Sequence, residues 1–175
     1  SKVAGICISL KNGAICNCRV EGIVSAVSSN AAYAGGICDY SEGAIISDCT
    51  VNATVSAKGV SSVYAGGICR NAGASVKNCS VSGEVYAYGT RNNIYSGGIA
   101  GVVPTGGSIE KCINSAEVSA VNGCDTTDYA HGSCYAGGIC STSDEAQIKE
   151  NINNGSVLAK ITPPSGTSLF VSFCV

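Results

Sequence analysis

The tetrapeptide Gly-Gly-Ile-Cys returns through this chain at nearly fixed intervals, and it constrains the fold more than any other feature. It stands at residues 35–38, 66–69 and 137–140, with Gly-Gly-Ile-Ala at 97–100 and an imperfect first copy at 4–7. The second glycines of successive copies lie 31, 31, 31 and then 40 residues apart. Residue identity at such a period is typical of solenoid proteins, in which each repeat forms one coil.

A second repeated element, Ile-x-x-Cys or Val-x-x-Cys, follows each tetrapeptide. In the last copy, asparagine replaces the cysteine. Beyond it the side chains alternate between apolar and polar, as in residues 49–57. This alternation predicts a half-buried strand, and no segment shows the 3.6-residue period of a helix. Each repeat thus supplies a short strand at its tetrapeptide, a glycine-marked corner and a longer strand. We predict an all-β, right-handed parallel β-solenoid of about five coils, with ~31 residues per coil, as a single domain over residues 1–175.

Composition excludes several functional classes. Charged residues make up only 13% of the chain and the formal net charge is −2, which argues against binding to a nucleic-acid backbone. No apolar run approaches the roughly 20 residues that a membrane-spanning helix needs. The chain does not begin with Met and shows no signal peptide, so we expect a processed or excised segment of a longer array.

Residues 97–101 read Gly-Gly-Ile-Ala-Gly, residues 78–79 read Asn-Cys, and residues 150–157 read Glu-Asn-Ile-Asn-Asn-Gly-Ser-Val. On these residues, nearly the whole chain resembles the GLUG-motif repeats of bacterial surface and secreted proteins. The resemblance implies a large extracytoplasmic protein, such as an adhesin or an immunoglobulin A peptidase whose chemistry lies in a separate zinc domain. The zinc-binding sequence His-Glu-x-x-His cannot occur here, because His131 is the only histidine.

Most of the twelve cysteines fall at two repeat positions, which predicts two ladders along the solenoid. One ladder is Cys18, Cys49, Cys79 and Cys112, which we expect to hold reduced thiols packed as small hydrophobic groups. The other ladder is Cys7, Cys38, Cys69 and Cys140. There, strand parity places Ile37 and Cys38 on opposite faces, and we expect the isoleucine to point inward. A disulfide between the two ladders remains an alternative.

The fourth repeat carries an insertion at about residues 121–134, and insertions in solenoids become loops that often bind partners. A disulfide between Cys124 and Cys134 is the first interpretation of the cysteines that bracket it. A metal site formed by Cys124, Asp125 or Asp128, His131 and Cys134 is the alternative, although the spacing matches no standard zinc module. The candidate binding residues of this loop are Asp125, Asp128, Tyr129 and His131.

Two further sets of residues concern catalysis and sugar binding. Glu84 and Glu117 occupy the same outward position on adjacent coils, near the separation used by retaining glycosidases. We interpret them as surface charge, because no further acid or aromatic platform for sugars is recognised beside them. A tyrosine precedes four of the tetrapeptides, and we expect these rings to stack and brace the rod; a sugar-binding ladder is the alternative. The four are Tyr33, Tyr64, Tyr95 and Tyr135.

Together these patterns predict a non-enzymatic structural or adhesive repeat segment of a bacterial surface or secreted protein, outside the cell or on its surface. We assign no catalytic residue, metal or cofactor. Expected partners are other copies of the chain or host and cell-surface components, with no nucleic acid and no membrane span. The alternatives are an end-to-end self-assembling filament subunit and a polysaccharide-active β-helix enzyme.

Overall fold

The computed structural model describes residues 1–123 and 132–162, which form a parallel β-solenoid of about four turns. Three sheets run along the solenoid. Sheet A, the narrowest, contains β1 (Lys2–Ala4), β5 (Ala32–Gly35), β8 (Val63–Gly66), β11 (Ile94–Gly97) and β16 (Cys134–Gly137). Its five strands lie at five levels separated by four turns, so the solenoid makes about four turns where the sequence predicted about five coils. Each level is called a coil below.

Sheet B was missed as a separate sheet by the sequence analysis, which placed only a glycine-marked corner there. In the second coil the chain continues as a ten-residue strand through Gly43, where a bulge with φ of 56° is accommodated within the strand. The strands of sheet B are β2 (Cys7–Lys11), β3 (Ala14–Cys16), β6 (Cys38–Ser47), β9 (Cys69–Lys77), β12 (Ala100–Val103), β13 (Ser108–Glu110), β17 (Cys140–Ser143) and β18 (Gln147–Lys149).

Sheet C begins in each coil directly after the position of Cys18, Cys49, Cys79, Cys112 and Asn151. Its strands are β4 (Arg19–Val27), β7 (Thr50–Lys58), β10 (Ser80–Gly89), β14 (Ile113–Asn114), β15 (Glu117–Asn122), β19 (Ile152–Asn153) and β20 (Val157–Ile161). All the described strand pairs are parallel, and no helix that could span a membrane occurs in the described residues.

Equivalent residues of successive coils stack in columns, as the period predicts. Ile37 donates its backbone N–H to the carbonyl oxygen of Ile68 at 2.8 Å, and Ile68 makes the same bond to Ile99. All three side chains are fully buried. In sheet C, Val51 lies in register between Val20 and Val81, and these valines fill the neighbouring core column.

The corner between sheets A and B requires glycine at its first position. A Cβ on Gly36 would lie 1.9 Å from the carbonyl oxygen of Gly67, a distance that no side chain can occupy. The chain bends at Gly36 and Ile37, so strand parity does not continue through this corner. Ile37 and Cys38 are therefore both buried, and the expectation that they point to opposite faces was wrong.

The corner between sheets B and C places one residue per coil in the left-handed backbone region. The φ angles of these residues lie between 52° and 55°, a region that asparagine and aspartate tolerate better than other non-glycine residues. The first three coils follow this preference, whereas the last two place a lysine and a glutamate there. The column consists of Asn17, Asp48, Asn78, Lys111 and Glu150.

Candidate functional site

The insertion in the fourth repeat connects β15 of sheet C to β16 of sheet A. Its ends are held by hydrogen bonds: the side-chain amide of Asn122 donates to the carbonyl oxygen of Gly132 at 3.0 Å. The backbone N–H of Ser133 donates to the side-chain oxygen of Asn93 at 2.9 Å. The insertion therefore leaves and re-enters the solenoid without disturbing the register of Cys134 with Ile94. The residues on which the binding, disulfide and metal predictions depend lie outside the described residues: Cys124, Asp125, Asp128, Tyr129 and His131.

The first cysteine ladder lies at the corner where each coil enters sheet C. The thiol of Cys49 donates to the carbonyl oxygen of Ser47 at 3.1 Å, and Cys79 repeats this contact with Lys77 at 3.2 Å. Burial raises the pKa of the Cys49 thiol, while a hydrogen bond with the thiol of Cys112, together with burial, raises that of Cys79. These cysteines pack as small, weakly hydrogen-bonding groups, and Cys49, Cys79 and Cys112 are buried.

The second cysteine ladder is equally internal. Cys38 and Cys69 are fully buried, and each thiol donates to the carbonyl oxygen two residues later, at 3.1 Å and 3.0 Å respectively. The adjacent thiol of Cys69, together with burial, raises the pKa of the Cys38 thiol. The ten cysteines within residues 1–123 and 132–162 form no disulfide with one another. The alternative of a bond between the two ladders is therefore not observed.

The tyrosine column, Tyr33, Tyr64, Tyr95 and Tyr135, lies on the outside of sheet A. Tyr64 and Tyr95 have ring centroids 4.5 Å apart and planes within 13°, and Tyr95 and Tyr135 follow at 4.8 Å and 7°. The ring faces thus cover one another along the rod axis, so a sugar reaching this column from the side would meet ring edges. This geometry favours the bracing role over the sugar-binding ladder.

A buried ion pair lies beside Tyr33, the first residue of the tyrosine column, and it was not predicted from the sequence. The guanidinium of Arg70 donates from Nε to one oxygen of Asp39 at 2.9 Å and from its terminal nitrogen to the other at 3.2 Å. Asp39 is fully buried, and the Arg70 guanidinium lies 4.9 Å from the ring centroid of Tyr33. Asp39 and Arg70 are equivalent residues of adjacent coils, so the 31-residue period was the signal that could have paired them.

Glu84 and Glu117 lie in register on the outer face of sheet C, as the spacing predicts. The aromatic residues beside them were not predicted as part of a site. Tyr86 and Tyr88 follow Glu84 on the same outward face of β10, with ring centroids 6.4 Å apart and planes within 18°. Extending the two-residue alternation from Glu84 would have identified both rings. We call Glu84, Tyr86, Tyr88 and Glu117 the tyrosine face.

The Tyr88 ring of the tyrosine face reaches the following coil. A Cβ on Gly123 would lie 2.3 Å from the Tyr88 hydroxyl, which places the phenol end against the backbone at the start of the insertion. Ser56 and Ser119 flank Tyr86 in its column, and both are only 7% exposed although they point outward. Burial raises the pKa of Tyr86. Lys58 approaches this ring from the preceding coil, with its ammonium nitrogen 5.6 Å from the centroid.

Within residues 1–123 and 132–162, no group of three or more His, Cys, Asp or Glu residues is arranged to hold a metal ion. The metal alternative for the insertion depends on residues outside this part of the chain. Comparison with known proteins found no matching family model, curated protein or solved structure. The resemblance to GLUG-motif repeats therefore stays a prediction.

Proposed function

We propose that this chain is a non-enzymatic structural and adhesive repeat segment of a bacterial surface or secreted protein. The observation that carries the proposal is the uninterrupted register of the coils: each sheet continues through five levels of strands, with the same residues stacked. Such a scaffold has a rigid, buried core that is independent of any ligand, so its outer faces are available for contact with partners.

The internal stacking suits a segment that extends and displays. Adjacent strands lie about 4.8 Å apart, so five levels span roughly 20 Å along the rod, and further coils would lengthen it in proportion. We take the coils to be right-handed, because parallel strand crossovers have this hand in nearly all proteins. The thiols of both ladders contribute to the core as small apolar groups, with no disulfide among the cysteines of residues 1–123 and 132–162.

Surface display can be tested in the parent organism with an antibody raised against residues 1–162. We expect the antibody to label intact cells or the culture medium, and external protease to remove the cell-bound signal. Labelling only after the cells are opened would contradict the proposal.

The non-enzymatic part of the proposal has its own test, because Glu84 and Glu117 lie in register as a pair of carboxylates. Incubation with a panel of neutral and acidic polysaccharides should release no new reducing ends. Release that is lost in both Glu84→Gln and Glu117→Gln would instead support a polysaccharide-active enzyme.

A further inference from the structure

The tyrosine face differs from the tyrosine column in what it presents to solvent. In the column, Tyr95 lies between Tyr64 and Tyr135 at separations below 5 Å, so both of its faces are covered. Tyr86 and Tyr88 are neighbours along one strand instead, and each is flanked along the rod by smaller side chains. Both rings are half-buried and remain accessible from outside the sheet.

The side chains around these rings include equal numbers of negative and positive charges. Glu84 and Glu117 contribute two carboxylates. Lys58 is in register with Tyr88 on the preceding coil, and Lys160 follows in the same column beyond Val121. Two carboxylates and two ammonium groups cancel, so a strongly charged partner finds no complementary field here, whereas a neutral one meets both acceptors and donors.

The chemistry of the aromatic ring faces indicates which class of neutral partner fits this surface. An aromatic face carries partial negative charge and attracts the weakly positive C–H groups of a flat, apolar ligand surface. A pyranose sugar presents such C–H groups on one face and hydroxyls at its rim, where they can both donate and accept hydrogen bonds. The strands of sheet C reach ten residues, about 33 Å, which is long enough for several linked sugars.

We infer that the tyrosine face binds a neutral glycan chain, with Tyr86 and Tyr88 stacking on sugar rings and Glu84, Glu117 and Lys58 bonding to their hydroxyls. This inference rests on the adhesive function proposed above and names its partner class. Tyr88 packs against Gly123, so a bound chain would lie beside the end of β15.

The test replaces each tyrosine with the residue that stands at the same position in other coils. Tyr86→Ser introduces the residue found in this column at Ser25, Ser56 and Ser119, and Tyr88→Val introduces that of Val27 and Val121. The double variant should therefore fold normally, which its thermal unfolding will verify. The probes are soluble β-glucan, xylan and mannan in affinity gel electrophoresis, and insoluble cellulose and chitin in pull-down assays.

We expect the unmodified chain to bind at least one of these polysaccharides and the double variant to bind it about tenfold more weakly or not at all. The matched control is Tyr40→Asn, which removes a half-buried tyrosine from sheet B and installs the residue of the next coil, Asn71. This control should retain binding within about twofold.

Three outcomes would overturn the inference: no binding to any probe, equal binding by the double variant, or equal losses in the double variant and the Tyr40→Asn control. Binding to polylysine that depends on Glu84 and Glu117 in place of glycan binding would likewise overturn it, because it would show a cationic partner. None of these results depends on surface labelling of cells, so failure of the glycan site and failure of the proposed surface function remain distinguishable.

Discussion

Asn151 makes at the last corner the contacts that the thiol of Cys112 makes one coil earlier. The side-chain oxygen of Asn151 accepts the backbone N–H of Cys112 at 2.8 Å, and its amide nitrogen donates to the carbonyl oxygen of Ile109 at 3.0 Å. Cys112 accepts the N–H of Cys79 on its sulfur at 3.4 Å, and its thiol faces the carbonyl oxygens of Glu110 at 3.4 Å and Val76 at 3.8 Å. The thiols of the first cysteine ladder thus make weak hydrogen bonds between coils, and the side-chain amide of asparagine makes stronger ones at the same position.

Extending the asparagine ladder by one coil should be tolerated. We expect Cys112→Asn to leave the free energy of unfolding unchanged or to raise it by up to about 1 kcal/mol, because the amide replaces two weak sulfur contacts with ordinary hydrogen bonds. Cys112→Ala should lower it by about 1–3 kcal/mol, since the buried N–H of Cys79 loses its partner. Urea unfolding measures both, and an alanine variant as stable as the asparagine variant would contradict the assignment.

The parity of sheet C can be tested at two adjacent residues. Val55 is fully buried between Val24 and Val85, so Val55→Asp should destabilise the chain by several kcal/mol. Thr54→Asp lies on the outer face beside Glu84, where repulsion between like charges costs about 0.2–1 kcal/mol. Thermal unfolding should separate the two variants clearly, and equal melting temperatures would show that the assigned faces are wrong.

The sequence predicted those parts of the structure that depend on repetition. Sheet register, the isoleucine and valine columns and the inward phase of residues 49–57 follow directly from the period and from two-residue alternation. The corners were harder to predict, because a bend in the backbone changes which side chains of the following strand point inward. The bend at Gly36 buries both Ile37 and Cys38, and the bulge at Gly43 looks like a corner in the sequence although it lies within β6.

The candidate sites were predicted less well than the fold. The register of Glu84 with Glu117 followed from the period, but the side chains beside them depend on how rings lie across neighbouring coils, which no repeat pattern specifies. The predictions for Cys124, Asp125, Asp128, Tyr129 and His131 concern residues outside the described part of the chain. Surface location, self-assembly and partner identity stay predictions, because stacking within the core does not determine them.

The left-handed corner between sheets B and C offers a stabilising substitution. Lys111 has a φ of 54°, a conformation that is strained for lysine and better tolerated by asparagine, the residue of two earlier coils. We expect Lys111→Asn to raise the free energy of unfolding by about 0.5–1 kcal/mol. Lys77→Asn is the control, because Lys77 pairs with the same Glu110 from an extended strand. A larger gain from the control would contradict the corner argument.

Stability should fall in alkaline solution under reducing conditions. Burial raises the pKa of Cys134 to about 11, above the value near 8.5 of an unfolded thiol. The folded chain then holds this proton more tightly, so the stabilisation is complete below about pH 8.5 and is lost as the pH rises towards 11. Cys134→Val, which matches Val63 in the same column, should flatten the decline in urea midpoint over this range.

The same titration tests the disulfide predicted between Cys124 and Cys134. A bonded Cys134 has no proton to lose, so in the oxidised protein the substitution at Cys134 should leave the alkaline slope unchanged. An identical effect of Cys134→Val under oxidising and reducing conditions would show that the two cysteines are not joined.

Replacing the insertion with the connection of the preceding coil should separate its structural and binding roles. Residues 123–133 join Asn122 to Cys134, whereas residues 90–93 join the equivalent Gly89 to Ile94. Keeping Gly123, against which Tyr88 packs, and replacing residues 124–133 with Arg-Asn-Asn should leave the fold intact, because shortening a loop this much changes its closure entropy by only about 1 kcal/mol.

If a partner contacts Asp125, Asp128, Tyr129 or His131, the grafted chain should lose adhesion to intact target cells while it unfolds at nearly the same temperature. Adhesion that survives the graft but is lost in the Tyr86→Ser/Tyr88→Val variant would assign binding to the tyrosine face alone. A large loss of thermal stability in the graft would show instead that the insertion supports the core through Asn122 and the ends of its neighbouring strands.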